Sequence, residues 1–260
     1  MAAAQVTEVR RLIDGLRRDR RQHPYSGRRE YSERAREVAA AIADMIEAGG
    51  AAEAVPLARR AVERVTAALM YMDDSSGIVG GDLRTLMALY ARACRAAPPD
   101  ARQLAAWLVA TWLDGPGWPD FELAEFAGPL EDAGLAEVAR LTEERRAAAD
   151  PGSWTALGIK ILREQLAAAS GDVDAHVAVL AEDLRGARGY GKVVAVLRDA
   201  GRDGDAEHCS AQVARTTSPG RVEAAYTAEQ AVQQSSLGQR LIRSGPRLAV
   251  GGVVRCRPVR

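Results

Sequence analysis

Residues 49–97 read GGAAEAVPLARRAVERVTAALMYMDDSSGIVGGDLRTLMALYARACRAA, and this stretch decides the fold. Leu57, Ala61, Val65, Ala68, Leu69 and Met72 recur at three- and four-residue steps and form one apolar stripe, the mark of an amphipathic helix. Arg59, Arg60, Glu63 and Arg64 fall mostly off that stripe, with Arg59 and Glu63 spaced for an ion pair. Pro56 is placed in the first turn, where its missing N–H costs little. A short acidic, Gly-rich loop, DDSSGIVGG, leads to a second periodic run through Leu83, Leu86, Met87, Tyr90 and Cys94. Asp82 or a preceding glycine is the expected cap, and Pro98-Pro99 the stop. Two helices with one apolar stripe each need further neighbours to cover them.

The flanking sequence supplies those neighbours. Residues 6–18 carry Val9, Leu12, Ile13 and Leu16 on one side. Ser32 is a candidate cap for a helix with Val38, Ile42, Met45 and Ile46, which Gly49-Gly50 ends. Asp100 heads a helix with Leu104, Trp107, Leu108 and Trp112. After the Asp114–Pro119 break, Phe121, Leu123 and Phe126 predict a short helix, and Gly134 precedes a run with Leu135, Val138 and Leu141. Trp154, Leu157, Ile161, Leu162 and Leu166 mark the next, and Asp172 caps another with Val173, Val177, Leu180 and Leu184. Val193, Val196 and Leu197 follow, and Asp203 opens a last helix. No strand-like alternation competes before residue 215.

The predicted fold is therefore all-α: an irregular antiparallel helical-repeat stack of the tetratricopeptide-like or α-solenoid kind, over residues 1–215. Its irregular spacing excludes a strict array of about 34 residues per repeat. Residues 216–260 lose leucine and acids, gain Gly and Pro, and end basic; they are expected to be disordered or loosely packed.

Composition narrows the function. Of 260 residues 47% are apolar and only 5% aromatic, so alanine must build much of the core. The formal net charge of zero argues against a general polyanion binder. Lysine occurs only at Lys160 and Lys192, so arginine reflects compositional bias as much as contact with nucleic acid. Cys94, Cys209 and Cys256 are odd in number and scattered, which fits a reducing cytoplasm. No apolar run approaches the roughly 20 residues of a membrane span, and no signal-peptide core opens the chain.

Motifs for chemistry are incomplete. Setting Gly77 at the sixth position of a calcium loop puts Met72 first and Leu83 twelfth, where acids are needed. Residues 186–192 match most of a phosphate-binding loop, but Val193 replaces its hydroxyl and no strand precedes it. His208-Cys209 lacks spaced partners for zinc. No nucleophile has an evident base. No enzyme activity, cofactor or metal is expected.

With those residues laid out, the chain resembles the helical region that follows the zinc finger in actinobacterial SWIM zinc-finger proteins, and related helical proteins of unknown function. The likeness covers roughly residues 8–207 and is carried by AVPLARRAVERVTAALMYMDDSSG, LYARACRAAPPDARQLAAWLVATWLDG, EDAGLAEVARL, AAASGDVDAHVAVLAEDL and LRDAGRDGDAE, with DDSSG its sharpest point. The family's CxC and CxH pair is absent, so zinc binding does not carry over. The pattern ends near residue 207, as a reading-frame change there would produce. The resemblance implies a scaffolding or partner-docking role in the cytoplasm.

Candidate partner contacts are Asp73 and Asp74 in the loop at the centre of the likeness, and Trp112, Trp118 and Phe121 around the Pro-Gly break, Trp118 being the anchor. The bland alternatives are a capping loop and interhelical core. A second reading is a nucleic-acid-associated accessory module that uses the arginine-rich segment Arg17, Arg18, Arg20, Arg21, Arg28 and Arg29; its bland alternative is a solvated helix face.

Overall fold

The computed structural model describes residues 3–17, 27–115, 119–182, 184 and 187–214. Among them are ten α-helices, one short 3-10 turn and no strand. Arg18, Arg20, Arg21, Trp118 and the expected tail at 216–260 lie outside the described residues.

The helices are α1 (Ala3–Asp14), α2 (Arg28–Glu47), α3 (Ala51–Leu69), α4 (Ile78–Ala96), α5 (Ala101–Leu113), α6 (Ala127–Ala148) and α7 (Trp154–Ala169). A 3-10 turn, Leu123–Phe126, precedes α6. Then come α8 (Val173–Ala181), α9 (Ala187–Asp199) and α10 (Asp203–Ala214). They fall into two compact units, Met1–Ala169 and Ser170–Arg260, where the sequence draws one helical domain to residue 215. Two separate apolar clusters account for the division.

In the first unit consecutive helices pair: α1 with α2, α3 with α4, α5 with α6. Across pairs, α1 meets α3, α2 meets α4, and α5 meets α7. The most extensive contact joins α3 and α4. Alanine is prominent among the buried residues of both helices: Ala54, Ala58, Ala61 and Ala68 on α3, and Ala91 and Ala93 on α4. Larger groups, Val65, Leu83, Leu86 and Met87, are buried as well.

Glycine and aspartate set the helix ends. Gly49, at φ 82°, closes α2, and the Gly50 N–H donates to the Met45 carbonyl at 2.9 Å. Asp100 and Asp172 cap as the sequence predicts, accepting from the Gln103 and Ala175 amides at 2.8 and 2.9 Å.

Ser32 and Asp82 do not cap. Gly27 and Gly77, both left-handed, precede α2 and α4, leaving Ser32 and Asp82 inside the helices and buried. Pro56 is the sixth residue of α3, beyond the first turn; it and Ala52, whose carbonyl it leaves unbonded within the helix, are both exposed to water. Gly134 sits within α6, where the helix comes closest to the Ala101 carbonyl of α5, rather than ahead of it.

An aromatic chain fills the α4–α5 end of this core. Tyr90 meets Trp107 edge-on at 4.9 Å and Phe126 at 5.8 Å; Phe121 meets Phe126 at 5.8 Å and Trp112 at 5.1 Å. Such pairs contribute about 0.5–1.5 kcal/mol each beyond their buried area. Trp154 is a correction to the expected stripe. It opens α7 and is 84% exposed, with Leu157 also exposed, because the buried line of α7 runs through Ile159 and Leu162.

In the second unit Leu180, Leu184, Tyr190, Val193, Val194, Leu197, Ala206 and Cys209 form the core. Arg202 ties α8 to α10, reaching Asp174 at 2.6 Å and Asp205 at 2.7 Å. The segment resembling a phosphate loop runs into the first turns of α9, and among the described residues no strand precedes it, so the strand–loop–helix setting of such a loop is missing.

Candidate docking site

Burying Leu57, Ala61, Val65 and Ala68 turns the opposite face of α3 outward. Pro56, Arg59, Arg60, Glu63, Arg64 and Ala67 lie on that face at helical spacing and line a groove of about 520 Å³. Neighbouring helices place side chains against it. From α5, the Trp107 indole N–H donates to Glu63 Oε1 at 2.9 Å, and the Arg59 guanidinium lies 5.4 Å from the Trp107 ring centroid. Arg59 Nε also donates to Glu63 Oε1 at 3.0 Å, the ion pair the spacing predicts. From α1, Asp14 accepts from Arg60 at 2.6 Å.

On α2, the guanidinium carbon of Arg34 stands 5.6 Å from the Tyr31 ring centroid, and its buried Nε has no hydrogen-bond partner among the described residues. Tyr31 itself is buried, and its hydroxyl donates to the Leu16 carbonyl at 3.1 Å. Burial pushes the phenol well above its usual range, while the charges of Arg34 and Arg64 pull it back. Arg64 has no carboxylate partner among the described residues.

The arrangement can bind through charge and shape. The groove is lined by three guanidinium groups, of Arg59, Arg60 and Arg64, and the Glu63 carboxylate, with the Asp14 carboxylate paired to Arg60. Guanidinium forks favour carboxylate and phosphate oxygens. Among the described residues no three His, Cys, Asp or Glu side chains gather to hold a metal, and no helix is long and apolar enough to cross a membrane.

The residues singled out in the sequence lie elsewhere. Asp74 accepts the Val79 and Gly80 amides at 3.2 and 2.8 Å, holding the start of α4. Asp73 accepts the Ser75 amide at 3.0 Å, and its carbonyl accepts from Arg28 at 2.9 Å. DDSSG is thus a capping loop in this structure. Phe121 is buried, and Trp112, half-buried, donates to the Gly158 carbonyl at 3.0 Å. Both serve the core, which leaves Phe121 no exposed surface to offer a partner. Arg29 pairs with Glu33 at 3.2 Å, and Arg17 is exposed. The groove residues were visible in the sequence as charges off the α3 stripe; their three-helix setting was not.

Comparison with known proteins adds no relative: no family model, no curated protein and no solved structure matches the chain.

Proposed function

We propose that this chain is a non-catalytic, cytoplasmic helical-repeat module that docks a protein segment on the outer face of α3. The observation that carries the reading is the groove itself, a charged surface along α3 whose Glu63 and Arg60 are held by Trp107 of α5 and Asp14 of α1. The order of packing supports an irregular solenoid: successive helical pairs bring α1 beside α3 and α2 beside α4, and such stacks present extended binding faces. The resemblance of residues 8–207 to the helical region of SWIM zinc-finger proteins is in keeping with a scaffold. Cys94 and Cys209, both buried and in no disulfide, are in keeping with a reducing compartment.

The test is site-directed cross-linking in the source cell. A photoreactive amino acid replaces Ala67 in the groove or, as a control, exposed Ala148 on α6. The expected result is one protein captured from position 67 and not from 148. Trp118→Ala run in parallel probes the Pro-Gly break. Capture of no protein, together with DNA or RNA shifts at physiological salt, would replace this reading with the nucleic-acid accessory module.

A further inference from the structure

We draw no further inference here: the strongest candidate, the exposed apolar surface of Trp154 and Leu157 at the start of α7, carries none because nothing in the structure shows what covers it.

Discussion

The Ser32 hydroxyl of α2 donates to the Asp82 carboxylate of α4, and Arg36, one turn along α2, donates to the other oxygen at 3.0 Å. The two contacts differ in worth. Arg36 is 64% exposed, so water replaces its bond at little cost. Ser32 is 2% exposed and would keep an unmet buried hydroxyl. Asp82→Ala should therefore lower stability by roughly 1–3 kcal/mol, read by urea unfolding. Ser32→Ala in the same background should add little, because the pair is coupled. Full additivity in that cycle would show the contact to be energetically idle.

Gly134 is a packing glycine. A Cβ there meets Leu130 side-chain carbons at 2.8 and 2.9 Å and the Ala101 carbonyl at 3.1 Å. Gly134→Ala should destabilise by about 1–3 kcal/mol through overpacking. Gly128, in the same helix, has open space around its Cβ position; Gly128→Ala should be stabilising by a few tenths up to about 1 kcal/mol. Guanidinium denaturation of both variants gives opposite signs if the fit is as described.

Glu131 interrupts α6 at φ 50°, ψ −173°, a region that glycine alone adopts without strain. Glu131→Gly should therefore be neutral or stabilising by about 1 kcal/mol, against the usual penalty for glycine in a helix. A clear drop in melting temperature would contradict the strained backbone.

Asp74→Ala should cost about 1 kcal/mol, the worth of a helix cap, since two amides at the start of α4 lose their acceptor. Adding calcium should leave the melting temperature of the wild type unchanged. A calcium-dependent rise would make the loop a metal site.

Burial pushes the Cys94 thiol up to about 11, partly offset by the Tyr90 hydroxyl and the Arg95 charge. At pH 8 the thiolate is scarce and the sulfur has no access to solvent. Alkylation followed by peptide mapping should modify Cys94 only after denaturant is added. Rapid labelling in the native state would disprove that burial.

The helices were legible because their apolar residues recur at helical steps and their breaks carry Gly or Pro. Caps were legible only where a breaker stands immediately before them: Pro98-Pro99 before Asp100, Gly171 before Asp172. Ser32 and Asp82 have the right chemistry for caps, but a left-handed glycine five residues earlier had already begun each helix. Their fifty-residue partnership is tertiary, and local pattern carries no trace of it. Tryptophan misled in both directions. Trp112 looked available and is engaged; Trp154 looked internal and stands in water. The groove eluded sequence reading for the same reason, since Trp107 and Asp14 reach α3 from two different helices.

The buried alanines of α3 and α4 reverse the usual pattern of mutational sensitivity. Trimming Ala58 or Ala61 to glycine removes a single methyl, and its cost is mainly that of helix propensity, about 1 kcal/mol. Enlarging either to valine or leucine has no free space to enter and pushes whatever helix packs over it away from α3. This seam fails by intrusion rather than by vacancy. Sequence drift across it should accordingly exchange alanine for glycine, serine or cysteine well before it admits any branched side chain.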